Sequence, residues 1–112
     1  MSVIIYHNPK CSKSRETLAL LQESGVELEI VEYLNTPPSA TELKDILGKL
    51  GLGPRDILRS KEANEEAIDK SLDGDDLIAA IAGHPRAMQR PIVVKGKKAA
   101  VGRPPESVLD IL

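Results

Sequence analysis

The chain has 112 residues, with 41% apolar and 29% charged residues, and Lys+Arg 15 against Asp+Glu 17 gives a formal net charge of −2. That is a foldable composition of one ordinary domain, expected to span 1–112, because two domains would each be too small to bury a sturdy core without disulfides or metals. The charge balance argues against a nucleic-acid binder, and no apolar run approaches the roughly 20 residues that cross a bilayer.

Val3-Ile4-Ile5-Tyr6 is a continuous apolar run, the pattern of a strand buried on both faces. Pro9 ends its pairing. A helix follows from about Ser12 to Ser24, with Leu18 and Leu21 on one face and Gly25 as its stop. Glu27 to Tyr33 alternates polar and apolar residues and reads as a second strand, so the first 33 residues form a strand–helix–strand crossover. Ser39 with Glu42 is a capping box ahead of a helix carrying Leu43, Ile46, Leu47 and Leu50. Arg55 to Arg59 reads as a short helix, residues 60–72 as a polar stretch anchored only by Ala67, Ile68 and Leu72, and Asp73 as the cap of a helix that stops at Gly83. Pro91 to Val94, a turn at Lys95-Gly96-Lys97, and Lys98 to Val101 form a hairpin. Glu106 to Leu112 closes the chain as a helix with Val108, Leu109, Ile111 and Leu112 facing inward. The order predicts an α/β, thioredoxin-like three-layer fold with a helical insertion, about residues 37–84, between its β-α-β and β-β-α halves.

Cys11 is the only cysteine. An internal dithiol is thereby excluded, and redox chemistry at Cys11 must take its second thiol from another molecule. The N-terminus, Met1 to Ile5, has neither a basic n-region nor a cleavage site, so a cytoplasmic location is expected. Cys11 follows a strand and opens a helix, where free backbone N–H groups and the helix dipole favour a thiolate. Ser12 and Ser14 offer hydroxyl donors to the sulfur, and Lys10, Lys13 and Arg15 add positive charge. His7 either adds charge when protonated or accepts the thiol proton. Together these predict a lowered thiol pKa and a reactive sulfur, against the alternative of an inert core cysteine. The same helix start is an oxyanion site, and a thiolate facing an anion needs further cations. Arg59, Arg90 and Arg103 lie in loops or at element ends. Taken singly, each reads as a solvated surface charge, although Arg90 and Arg103 each precede a proline, and Arg90-Pro91 falls where a thioredoxin-like fold places its cis-proline loop. No metal site is expected, since His7 and Cys11 are too few ligands. His84 reads as a helix-end residue.

Tyr6-His7-Asn8-Pro9-Lys10-Cys11-Ser12-Lys13-Ser14-Arg15 resembles the active-site loop of the glutaredoxin-coupled arsenate reductase family. Tyr33-Leu34 before Pro37-Pro38, Leu58-Arg59, Arg90-Pro91-Ile92-Val93-Val94 and Gly102-Arg103-Pro104 extend the resemblance in order along the chain. It implies that Cys11 attacks arsenate, that Arg59, Arg90 and Arg103 bind the oxyanion, and that His7 and Ser14 tune the cysteine. It further implies glutathione as co-substrate, glutaredoxin as the partner that resolves the mixed disulfide, and no bound cofactor. Ser12-Lys13 stands where the family usually has Gly-Thr. Two other readings are a glutathione-dependent thiol oxidoreductase with a different substrate and a non-enzymatic regulatory relative. Ser14 occupies the second cysteine position of the family's regulators.

Overall fold

The computed structural model describes residues 2–69, 71–89 and 91–112. The chain divides into two compact units, Met1–Thr36 with Arg90–Leu112, and Pro37–Gln89.

The first unit holds a four-stranded sheet of order β2-β1-β3-β4, built from β1 (Val3–His7), β2 (Leu28–Glu32), β3 (Ile92–Lys95) and β4 (Lys98–Val101). β1 runs parallel to β2 and antiparallel to β3, with Tyr6 opposite both Val31 and Ile92. The ends of β1, β2 and β4 therefore share one edge of the sheet with the start of β3. α1 (Ser12–Glu23) makes the crossover from β1 to β2. Gly25, at φ +72, supplies the left-handed residue that ends it. Val3, Ile5 and Val93 form one buried face with Leu21 of α1 and Val108, and Leu18, Val26, Leu28, Ala100, Ile111 and Leu112 pack at its margin. This β-α-β and β-β-α order is the thioredoxin-like α/β arrangement expected of the sequence.

Three details differ from expectation, and a fourth reading, at Arg90-Pro91, lies outside the described residues. β2 is shorter than Glu27 to Tyr33 and is an edge strand, with Ile30 47% exposed. The alternation breaks at Ile30-Val31, and burial follows it only in part: Leu28 and Val31 are half-buried while Ile30 is exposed. In the hairpin Lys95 pairs with Lys98, so the turn contracts to Gly96-Lys97, with Gly96 at φ +59. The final segment, Pro105–Ile111, is a 3-10 helix rather than an α-helix. Its tighter three-residue turn buries Pro105 and Val108 and leaves Leu109 exposed. The one cis peptide bond among the described residues is Arg103–Pro104, whereas the Arg90–Pro91 bond lies outside them.

The second unit contains α2 (Ala40–Leu50), α3 (Ser60–Glu65) and α4 (Gly74–Gly83) with 3-10 turns at Pro54–Ile57 and Pro85–Ala87. The Ser39/Glu42 capping box forms as read, with Ser39 Oγ accepting from Glu42 N and Glu42 Oε1 from Ser39 N, both at 3.1 Å. Asp73 accepts from Gly74 N at 2.9 Å at the start of α4. α2 packs on α4, burying Leu43, Ile46 and Leu47 on one helix and Leu77, Ile78 and Ile81 on the other. The short helix expected at Arg55 to Arg59 is a single 3-10 turn, with Arg59 instead at the N-cap of α3, a helix inside the stretch read as merely polar. Lys61, Glu62 and Glu65 disguised it by composition; Glu62, carboxylate included, and Ala63 are its buried positions. Ile57 O accepts from Gln89 N, and Ala87 O from Arg59 N, both at 2.7 Å, which ties the Ile57–Arg59 stretch to the end of this unit.

Candidate active site

Cys11 is the N-cap residue of α1, with extended backbone (φ −96°, ψ 124°), and is half-buried. The loop that presents it is closed by short-range bonds. Asn8 Oδ1 accepts from Lys10 N at 3.0 Å, an Asx turn, and Asn8 O accepts from Cys11 N at 3.0 Å. Arg15 N donates to Cys11 O at 3.0 Å, and Arg15 Nη1 donates to Pro9 O at 2.9 Å. The thiol therefore sits on a rigid turn at the positive end of a helix whose first turn holds no acidic residue.

Arg103 follows β4 and brings Nη2 to 3.6 Å from Cys11 Sγ. This is a charge-assisted N–H···S contact, which favours the ionised sulfur. Gly102 makes the approach possible: a Cβ there would lie 2.6 Å from Thr17 Oγ1 and 2.8 Å from Pro91 Cγ. Only a residue without a side chain lets the end of β4 pass this close to α1. Gly102 N donates to Pro91 O at 2.9 Å and Arg103 N to Val101 O at 2.9 Å, so the backbone that carries the guanidinium is pinned on both sides.

His7 and Ser14 are buried together beneath the loop. Ser14 Oγ lies 2.7 Å from His7 Nδ1 and accepts from Asn8 N at 3.0 Å. The Ser14 hydroxyl, expected to address the sulfur, is thus engaged with His7 and the Asn8 amide. Burial pushes the His7 pKa down, opposed by Glu32 and assisted by Arg15. Burial thus disfavours the charged form that one sequence-based option gave His7. Lys13 is paired with Glu16 at 3.6 Å, on an exposed turn.

Arg59 lies in the second unit, at the N-cap of α3, where its Nε donates to the buried carboxylate of Glu62 at 3.1 Å. Arg90 lies outside the described residues. His84 caps α4 and bonds to Glu66 Oε1 at 3.1 Å, as befits a helix-end residue. Sequence reasoning overlooked Asn8, Gly102 and Glu62. Asn8 was visible as an Asx-turn former ahead of proline, whereas nothing local marks Gly102 as a point of close approach or Glu62 as a buried partner. Among the described residues no group of three or more His, Cys, Asp or Glu is placed to hold a metal ion, and no helix is long and apolar enough to cross a membrane.

Comparison with known proteins gives the chain its family. The model of the ArsC family matches residues 6–111. The chain is 52% identical to the uncharacterized protein YfgD of Escherichia coli, over 98% of this chain and 96% of that one. It is 51% identical to an arsenate reductase of Neisseria meningitidis, over 96% of each. The solved structure of an arsenate reductase from Vibrio cholerae superimposes with a TM-score of 0.92 at 52% identity, covering 100% of this chain and 98% of that one. With the match running from the first strand to the final 3-10 helix, the chain belongs to the ArsC family.

Proposed function

We propose that this protein reduces arsenate to arsenite through Cys11, with glutathione and glutaredoxin supplying the electrons. The observation that carries the reading is the Arg103 guanidinium 3.6 Å from Cys11 Sγ at the start of α1. A thiolate and an arsenate anion repel each other, and a cation held beside the sulfur lowers that cost. The names of relatives about 50% identical over nearly the whole chain support arsenate as the substrate.

In the first step the Cys11 thiolate forms a bond to arsenic(V), the bond to one arsenate hydroxyl breaks, and that hydroxyl takes up a proton from solvent and leaves as water. Glutathione then forms a disulfide with Cys11 while the sulfur–arsenic bond breaks, and its electron pair stays on arsenic, which departs as arsenite. The two thiols together supply the two electrons. Glutaredoxin takes the glutathionyl group and restores Cys11. The sole cysteine supports this route, because one thiol cannot complete a two-electron reduction alone. Arg103 holds the developing charge, and Arg59 and Arg90 are assigned the same task from the family resemblance. His7 and Ser14, bonded to each other and to the Asn8 amide, keep the loop in register. Such chemistry belongs to a reducing compartment, in keeping with a cytoplasmic location.

The test is arsenate turnover with purified glutathione and glutaredoxin. Cys11→Ser should abolish it, and Arg103→Ala should lower kcat by about 10²-fold, the usual effect of removing one oxyanion donor. Retention of turnover by Cys11→Ser would overturn the assignment.

A further inference from the structure

The ends of β1 and β2 frame a recess of about 210 Å³, lined by the His7–Lys10 loop, Glu32, Leu34 and Asn35. Lys10, Glu32 and Asn35 present an ammonium, a carboxylate and an amide around this recess, and the Glu32 charge also acts on His7 in its wall. A cation, an anion and an amide around one recess complement a ligand group that itself carries a carboxylate and an ammonium on neighbouring atoms, an amino-acid zwitterion. Leu34 and Pro9 supply apolar wall for methylene groups. The volume is below the roughly 300–1,000 Å³ of a site that engulfs a drug-sized ligand, so the recess takes one end of a tripeptide rather than the whole of it.

Its position suits a thiol donor. Lys10 precedes Cys11 directly, and the sheet order puts β2 on one side of β1 and β4 on the other. Arg103 reaches the sulfur from the β4 side, leaving the β2 side for the second thiol. The larger groove beside α1 and Pro104 fits less well, because its Lys13 is already paired with Glu16 and its Glu106 repels an anionic ligand.

We propose that this recess binds the γ-glutamyl end of glutathione, with Glu32 receiving the ammonium and Lys10 and Asn35 the neighbouring carboxylate. The proposal rests on the reading of glutathione as electron donor, and its test is kept separate from arsenate. Oxidised glutathione and hydroxyethyl disulfide are each mixed with the protein, and the mixed disulfide at Cys11 is followed by intact mass. In both reactions the Cys11 thiolate attacks one sulfur, the old disulfide breaks and one thiolate leaves, with no net redox change. Both rates depend equally on the Cys11 thiolate, so their ratio isolates recognition of the γ-glutamyl group.

Glu32→Gln and Asn35→Ala should each slow glutathionylation about five- to tenfold, the loss of one ordinary to charge-assisted hydrogen bond, and leave the hydroxyethyl disulfide rate within about twofold. Glu32→Gln is the sharper variant, because removing a negative charge would, by bulk electrostatics alone, speed attack on an anionic disulfide. An unchanged ratio in both variants overturns the recess as the glutathione site. If the ratio falls as expected but glutathione supports no arsenate turnover, the recess stands and the proposed reaction fails. If turnover requires glutathione while the ratio is unchanged, the reaction stands and the recess fails.

Discussion

His7 and Arg103 illustrate how differently two basic residues are used. The Arg103 guanidinium is brought to the sulfur, whereas His7 is buried with Ser14 and its pKa is pushed below the ordinary histidine value near 6.5. The unfolded chain therefore binds a proton at His7 at pH values where the folded chain does not. Stability is at its full value above about pH 6.5 and falls as pH is lowered from there toward the depressed folded value. Urea midpoints measured from pH 7.5 to 5 should show this fall, and His7→Gln should flatten that component of it. Alkylation of Cys11 by iodoacetamide at pH 7 should slow several-fold in Arg103→Ala and much less in Arg103→Lys, because Lys retains the charge. Equal rates in the parent and Arg103→Ala would remove Arg103 from activation of the sulfur. Cys11 and its cap position were readable from residue type and spacing, whereas Arg103 by itself read as a surface charge and was marked only by the family resemblance. The direction of the Ser14 hydroxyl was not readable, because it depends on the strand end beneath it rather than on the loop that carries it.

The elements read correctly were those with strong local signals. The Ser39/Glu42 box, the Asp73 cap and the left-handed Gly25 each act within a few residues, so they are legible in the chain. Ser39→Ala should cost about 1 kcal/mol, seen as a lowered denaturant midpoint with an unchanged slope. α3 and the closing 3-10 segment were misread for the opposite reason. α3 is six residues, too short to stand on its own propensity, and Pro105–Ile111 is drawn tight by packing against α1 and β4. Gly102 belongs to the same scale, as the point where β4 passes α1. Gly102→Ala should cost about 1–3 kcal/mol from overpacking against Thr17 and Pro91. Because Arg103 is next in sequence, that variant should also lose arsenate turnover beyond what its loss of stability explains.

For the molecule as a whole, stability of the first unit rests on a small shared core. Leu21 packs against Val3, Ile5, Val93 and Val108 from three different stretches of the chain. Leu21→Ala should cost about 2–5 kcal/mol, a large share of the 5–15 kcal/mol available to a typical domain. Ile30→Lys, on the exposed edge strand, should change stability by no more than about 0.5 kcal/mol and shows in the same denaturation series that burial rather than hydrophobicity sets the cost.

The strand–helix–strand start, the hairpin, the caps and a cysteine at a helix entrance were all settled by patterns a few residues long, since backbone periodicity and capping are local. Which arginine meets that cysteine was a different matter. Cys11 and Arg103 are 92 residues apart, and their contact exists because β4 ends at the same edge of the sheet as β1 and Gly102 lets it come close. The recess beside Glu32 has the same origin, in parallel pairing that sets two strand ends side by side. Contacts of that kind depend on register and packing across the sheet, and no window of neighbouring residues encodes them.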